Sequence, residues 1–166
     1  MNQSEVLNMS ESARSLLNRA LRFCAASEQC EGDVRRKLAD WGSSNDEAEA
    51  ILTLLRDEGY VDDHRYARAY CESKLLRAGW GRQKVAYHLR MKGLASEAVN
   101  EGLAAVDDEA CRDILTSLAE RKAAELRSSR TPPEPPILRR KLTAFLLQRG
   151  YPLSQINPII TNILKK

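Results

Sequence analysis

The apolar positions of the chain recur in three similar segments, and each segment ends at a glycine. These glycines are Gly42, Gly93 and Gly150. Apolar residues stand four and eight positions before each of them, which is the spacing of one helix face. The three pairs are Val34 with Leu38, Val85 with Leu89, and Leu142 with Leu146. A glycine just past the last turn supplies a left-handed C′ position, so each segment is predicted to be a helix that ends there.

A second apolar stripe follows each glycine at offsets of 6, 9, 10 and 13 residues, the pattern of an amphipathic helix. Eleven of these twelve positions are apolar, and the exception is Gly102. Ser44 or Asn45, Ser96 and Ser154 can accept hydrogen bonds from free backbone amides, so they are predicted to begin the three helices.

A longer helical segment precedes each of these pairs, over residues 12–26, about 63–78 and about 108–127. Asp62 or Asp63 and Asp107 or Asp108 stand at the starts of the last two, where an aspartate can cap a helix. The unit is therefore three helices, used three times. Four prolines in residues 128–136 predict an extended connector within the third unit.

The fold class predicted is all-α, an elongated array of three tandem three-helix repeats with helix-turn-helix-like units. We expect a disordered N-terminus at 1–11, repeat 1 at 12–58, repeat 2 at 59–106 and repeat 3 at 107–166, interrupted by the connector at 128–136. Three independent small bundles are the alternative, which the short connections between the units disfavour.

Charge is distributed unevenly along this chain, whose formal net charge is +3. Residues 1–58 carry a net charge of −4, residues 59–93 carry +5, and residues 94–166 carry +2. The basic centre also holds five of the nine aromatic residues. This pattern indicates a charged partner or a nearby nucleic acid, although solvated helix faces would produce similar runs of charge.

The residues that carry catalysis or metal binding are scarce. The four cysteines form no C-x-x-C pair and there are only two histidines, so we predict no metal, no cofactor and no enzymatic activity. Phosphate-binding glycine motifs are absent from the sequence. No apolar run is long enough to span a bilayer and no secretory signal is visible, so a cytoplasmic location is expected.

Two stretches of the basic centre resemble the central signature of the RecX family, bacterial regulators of the RecA recombinase. They are GYVDDHRYARAY at residues 59–70 and GWGRQKVAYHLRMKGL at residues 79–94. The stretch at residues 20–42 is similar to the start of that family more loosely. The resemblance covers about residues 13–164 and is most specific in the middle.

The resemblance implies a modular arrangement of three-helix repeats and a regulator that is not an enzyme. It further implies binding to RecA, alone or as a filament on single-stranded DNA, with inhibition of its ATPase, strand-exchange and coprotease activities in DNA repair and recombination. We expect a monomer without membrane contact. A helix-turn-helix-type DNA-binding protein and a helical-repeat adaptor for another protein are the alternatives, and direct DNA contact is left open.

We expect the basic side chains of the centre, together with a short basic run in the third unit, to contact the partner or a nucleic acid as a group. These residues are Arg65, Arg68, Lys74, Arg77, Arg82, Lys84, Arg90, Lys92, Arg139, Arg140 and Lys141.

Overall fold

The computed structural model of the protein describes residues 3–166, and over this range the chain is built of α-helices without a β-strand. The N-terminal helices are α1 (Gln3–Leu7), α2 (Glu11–Ala26), α3 (Glu31–Asp40) and α4 (Asn45–Asp57). The central ones are α5 (Asp63–Glu72), which continues into a π-helical turn (Ser73–Arg77), α6 (Arg82–Met91) and α7 (Ser96–Ala104). The C-terminal ones are α8 (Asp108–Arg127), α9 (Pro135–Gln148) and α10 (Leu153–Leu164). The predicted fold class, all-α with three helix triplets, is confirmed.

The glycine turns adopt the predicted backbone conformation. Gly42, Gly93 and Gly150 have φ angles of 87°, 89° and 92°, which L side chains rarely adopt. The six apolar residues that stand four and eight positions before these glycines are all fully buried. The i, i+4 pattern therefore identified the buried face of α3, α6 and α9 correctly.

Several helix starts also follow from local side chains. Ser44 and Glu47 form a capping box at α4, in which each side chain accepts a hydrogen bond from the other residue's backbone N–H. Asp107 Oδ2 accepts from the Ala110 N–H at the start of α8. Ser154 does not begin α10, because the N-cap position is Pro152.

Two segments differ from the expectation. Helix α9 begins at Pro135, inside the predicted connector. A proline is tolerated in the first turn of a helix because the backbone N–H that it lacks would have no hydrogen-bond partner within the helix. The structure also has the short helix α1 within residues 1–11, and Val6 and Met9 pack against the hydrophobic core. Met1 and Asn2 lie outside the described residues. The boundaries between the three repeats stay predictions.

The chain divides into two compact units. The first comprises the residues up to Ala67 together with Leu89–Val99. Its core is formed by α2, α3 and α4, with Leu17, Leu38 and Ile51 among its fully buried side chains. Phe23 and Trp41 pack edge to face at its margin.

The second unit comprises Arg68–His88 and Asn100–Lys166. Its core lies between α8, α9 and α10, where Leu115, Leu142 and Ile160 are fully buried. The π-helical turn packs against α8. No helix among the residues that the structure describes is both long enough and apolar enough to cross a membrane.

A close backbone approach occurs within each unit, and each depends on a glycine. In the first unit, a Cβ on Gly32, in the first turn of α3, would lie 2.0 Å from the Lys92 carbonyl oxygen. In the second unit, a Cβ on Gly81 would lie 2.2 Å from the Gly150 carbonyl oxygen, and the Gly81 N–H donates to the Arg149 carbonyl at 2.7 Å. In both, the start of one repeat's middle helix touches the glycine turn of the next repeat.

Candidate partner-binding surface

Arg82, one of the predicted contact residues, is engaged by its own unit. Its guanidinium donates to the carbonyls of Leu103 and Val106, the latter at 2.9 Å, and to Asp108 Oδ1 at 2.7 Å. The Leu103 carbonyl lies in the last turn of α7, where helix carbonyls lack partners within the helix, and Val106 lies in the connection to α8. Arg82 therefore stabilises the connection between α7 and α8, which limits its availability for a partner.

Lys92 has a similar internal role in the first unit. Its Nζ lies 2.9 Å from Asp33 Oδ2, and both side chains are less than one third exposed. Burial opposes the charge on Asp33, but hydrogen bonds from Lys92 and Arg36 outweigh it and the pKa of the carboxyl is lowered. Burial likewise opposes the charge on Lys92, yet the bond to Asp33 leaves its pKa raised. The pair is held ionised at neutral pH.

Two further predicted residues, Arg65 and Arg139, also bind within their own units. Arg65 donates to Glu28 Oε1 at 2.8 Å and to the Gly59 carbonyl at 3.0 Å. Arg139 donates to Thr161 Oγ1 at 3.3 Å, which joins α9 to α10. The spacing of basic residues along the chain could not separate these internal contacts from solvent-facing side chains.

Asp62 and Asp63, at the start of α5, cap two different helices. Asp62 Oδ1 accepts from the Arg65 N–H, as expected for a cap of α5. Asp63 Oδ1 instead accepts from the Glu31 N–H at 2.8 Å, and so it caps α3. Burial raises the pKa of Asp63. The side chain of Cys30, the N-cap residue of α3, makes no capping hydrogen bond.

A group of aromatic and basic side chains surrounds Trp80 in the second unit. The ammonium groups of Lys84 and Lys74 lie 4.3 Å and 4.8 Å from the indole centroid, within the range of a cation–π interaction. The His88 ring centroid is 4.9 Å from the indole, and Tyr87 meets His88 edge to face. Tyr87 is 60% exposed, so this group faces solvent.

An open groove of about 340 Å³ runs beside Trp80, and we call it the Trp80–Phe145 groove. It is lined by Trp80, Lys84, Phe145, Gln148 and Arg149. The Arg149 guanidinium lies 4.9 Å from the Phe145 ring centroid and also donates to the Ala78 carbonyl. The groove thus has a half-buried aromatic ring on each side, each with a cation against it, and none of these five lining residues is acidic.

Sequence reasoning missed Phe145 and Arg149. Phe145 lies beside the buried stripe of Leu142 and Leu146, so its ring is left partly exposed on α9. This offset from the stripe is a signal that the sequence contains. The proximity of Phe145 to Trp80, 65 positions earlier, has no counterpart in any local pattern.

The remaining predicted residues are exposed on the surface of their units. Arg68 lies 3.6 Å from Glu101, and this ion pair is about half exposed on both sides. We call these five residues the exposed basic set: Arg68, Arg77, Arg90, Arg140 and Lys141.

The cysteines lack the features of a nucleophile. Burial raises the pKa of Cys30 and of Cys71 to about 11, and it also raises the pKa of Cys24 and of Cys111. Thiols in this state stay protonated at neutral pH and react slowly. Within the described part of the chain, no group of three or more histidine, cysteine or acidic side chains is placed to hold a metal ion.

Fold and surface together define a class, that of all-helical repeat proteins with basic and aromatic side chains on their surface. Comparison with known families shows to which family within this class the chain belongs. The model of the second three-helix domain of RecX matches residues 62–103, and that of the third three-helix domain of RecX matches residues 110–160. Because these two matches cover more than half of the sequence, the chain belongs to the RecX family.

Individual relatives agree with this assignment. The chain is 30% identical to the regulatory protein RecX of Clostridium perfringens, over 88% of this chain and 67% of that protein. It is 29% identical to the regulatory protein RecX of Clostridium tetani, over 87% of this chain, and spans 65% of that protein's length. The crystal structure of RecX from Lactobacillus salivarius has the same fold, with a TM-score of 0.79 and 20% identity over 93% of this chain and 97% of that one.

Proposed function

We propose that this protein binds the RecA recombinase, alone or as a filament on single-stranded DNA, and lowers its ATPase, strand-exchange and coprotease activities. The observation that carries the proposal is the match of two consecutive three-helix domains to RecX. The proposed regulator is a cytoplasmic monomer that acts by binding and catalyses no reaction itself.

The surface of the chain is consistent with such a partner. A nucleoprotein filament contains phosphates, and basic side chains attract these through the field that they share. Arg77, Arg90, Arg140 and Lys141 of the exposed basic set supply these charges, whereas Arg68 is also paired with Glu101. Arg82 and Lys92 are already engaged within their own units, so we place the contact on the exposed side chains.

The direct test is the ATPase rate of RecA on single-stranded DNA with increasing amounts of this protein. We expect the rate to fall, and we expect the fall to persist when single-stranded DNA is supplied in excess. An unchanged rate at a large excess of this protein over RecA would contradict the proposal. Loss of the inhibition on adding DNA would also contradict it, since the protein would then act by sequestering DNA.

Physical association provides an independent measurement. RecA immobilised without DNA, and then as a filament, should retain this protein in both states, before and after nuclease treatment of the sample. Retention that depends entirely on intact nucleic acid would favour the alternative of a direct DNA-binding protein.

A further inference from the structure

The Trp80–Phe145 groove has the combination of groups that binds an unpaired nucleic acid strand. Its two aromatic rings are partly exposed, and cations lie at 4.3 Å and 4.9 Å from their centroids. Lys74 adds a third cation beside Trp80. Lys122 lies 5.4 Å from the Phe145 ring but is also paired with Glu125 Oε1 at 2.7 Å.

The cations at these rings can be redirected to a ligand. A cation–π contact at a solvent-accessible site is weak, so a lysine can leave the indole face for a phosphate oxygen. The face that it vacates is then available to a base. Arg149 is held at the Ala78 carbonyl at 3.1 Å, so it is the more rigid of the two ring cations.

The occupant must provide negative charge and flat apolar faces at short intervals along a flexible chain. Single-stranded nucleic acid provides both, because its phosphates alternate with bases that can stack on aromatic rings. An acidic polypeptide has the charge without the flat faces. In a duplex the bases are already stacked on one another, so they cannot reach Trp80 or Phe145.

We therefore infer that the Trp80–Phe145 groove binds single-stranded nucleic acid directly, in the absence of any other protein. One base stacks on Trp80, and a neighbouring base lies against Phe145. Lys84, Lys74 and Arg149 contact the phosphates between and beside them. This activity goes beyond the proposed regulation of RecA, because it requires only this chain and an unpaired strand.

Tryptophan fluorescence reports on the groove directly. The chain has two tryptophans, so Trp41→Phe leaves Trp80 as the only one. At low salt we expect an oligothymidylate to quench this fluorescence, and a duplex of equal length to quench it much less. No quenching by the oligothymidylate, or equal quenching by the duplex, would overturn the inference.

Substitutions in the Trp41→Phe background locate the site. Lys84→Gln should weaken binding and flatten the slope of log affinity against log salt by about 0.7, the value for one phosphate contact on a single strand. Lys37→Gln is the matched control, since Lys37 also lies over an aromatic ring, 5.8 Å from the Phe23 centroid, outside the groove. An equal effect of the two substitutions would overturn the site.

The stacking contribution is measured separately by fluorescence anisotropy of a labelled oligothymidylate, with Trp80→Leu in the natural background. We expect its affinity to fall by roughly 5- to 150-fold, corresponding to the usual 1–3 kcal/mol for one stacked base. A fall of less than twofold in a folded variant would overturn the stacking role. If this variant fails to fold, as judged by circular dichroism, Lys84→Gln and its control decide the question.

A polyglutamate of matched charge distinguishes the two kinds of occupant, and quenching as strong as that by oligothymidylate would overturn the nucleic-acid assignment.

The result is separable from the proposed function because these assays contain no RecA. A chain that inhibits RecA but does not bind oligothymidylate overturns the groove inference alone. A chain that binds oligothymidylate without affecting RecA overturns the proposed function alone.

Discussion

Arg82 and Arg90 lie on the same helix, α6, but differ in what surrounds their guanidinium groups. Arg82 donates to two carbonyls and a carboxylate of the second unit, whereas Arg90 is exposed. Equal charge in the sequence therefore corresponds to two physical roles. Side chains that complete a helix end contribute to stability, and side chains in solvent are available to a partner.

Arg82→Gln should lower the free energy of unfolding by roughly 1–3 kcal/mol, because it leaves the Leu103 and Val106 carbonyls without their donor. Arg90→Gln should change it by less than about 0.5 kcal/mol, as is usual for a surface substitution. Urea unfolding followed by circular dichroism compares the two. Equal midpoints and slopes would show that Arg82 has no structural role.

The Asp33–Lys92 pair should make stability depend on pH at both ends of the scale. The folded-state pKa of Asp33 is lowered, so its contribution is present above its unfolded pKa of about 3.9 and is lost as pH falls through the folded value. The folded-state pKa of Lys92 is raised, so its contribution is present below about 10.4 and is lost as pH rises through the folded value. The melting-temperature difference between wild type and Lys92→Gln should therefore be largest near neutral pH. A difference that stays constant from about pH 3 to about pH 11, a range that spans both unfolded values, would contradict this.

At the scale of the helices, the middle helix of each repeat is organised in the same way. Leu38, Leu89 and Leu146 are each fully buried four residues before a glycine in the left-handed conformation. The buried face and the turn are thus two consequences of one local pattern. The three positions should respond similarly to truncation.

Leu89→Ala should lower the free energy of unfolding by roughly 2–5 kcal/mol, the range for a buried leucine that leaves a cavity. Leu146→Ala is the comparison, since the corresponding side chain in the third repeat is equally buried. Denaturant unfolding measures both. A change below about 1 kcal/mol for Leu89→Ala would mean that its site collapses without loss of packing.

Substitutions at Gly42 and Gly150 distinguish the cost of a left-handed backbone conformation from the cost of a steric clash. Gly42 has a φ of 87°, and among the described residues no atom beyond its chain neighbours lies within 4 Å of the position that a Cβ would take. Gly42→Ala should therefore cost about 1–2 kcal/mol from left-handed strain alone. Gly150 has a similar φ, but a Cβ there would also lie 2.3 Å from Lys84 Cβ. Gly150→Ala should therefore be the more destabilising substitution in thermal melts. Equal losses would show that the backbone at Gly150 moves freely.

At the scale of the whole molecule, the proposed function depends on charge. The sequence carries +5 over residues 59–93, but Arg65, Arg82 and Lys92 of this stretch are engaged within their units. We therefore propose that a partner is attracted by the exposed basic set, which also includes Arg140 and Lys141 of the third repeat. The elongated and monomeric form expected from the repeat stays a prediction. A radius of gyration above ~15 Å in solution scattering would support it.

Removing four charges of the exposed basic set should weaken the inhibition of RecA. It should also make this inhibition less dependent on salt concentration, because fewer counterions are released on binding. The variant changes Arg77, Arg90, Arg140 and Lys141 to glutamine. Its melting temperature should stay close to that of the wild type, since exposed charges contribute little to folding. The measurement is the concentration of protein that halves the RecA ATPase rate, across a salt series.

The matched control removes the same charge at exposed arginines outside that set. It changes Arg14, Arg22, Arg112 and Arg130 to glutamine. If both variants lose inhibition equally, net charge and not the location of the exposed basic set governs binding.

The sequence by itself determined the features that depend on neighbours along the chain. The glycine turns, the buried stripes of α3, α6 and α9, and the Ser44 capping box follow from helix periodicity and from the conformational freedom of single residues. The family resemblance rests on the same local stretches, at residues 59–70 and 79–94. These features could be predicted because helix formation is governed by residues within about four positions of one another.

The tertiary structure alone decided which polar and aromatic side chains meet. Asp63 caps α3 from 32 positions away, Lys92 reaches Asp33 across 59, and Phe145 shares a groove with Trp80. The periodicity of the sequence does not predict these pairs. Each depends on the distance between two packed helices and on how each helix is rotated about its own axis. Close approach at Gly32 and Gly81, where a Cβ would clash with a carbonyl, sets that packing. The division of the basic residues into internal and exposed groups is a consequence of the same packing.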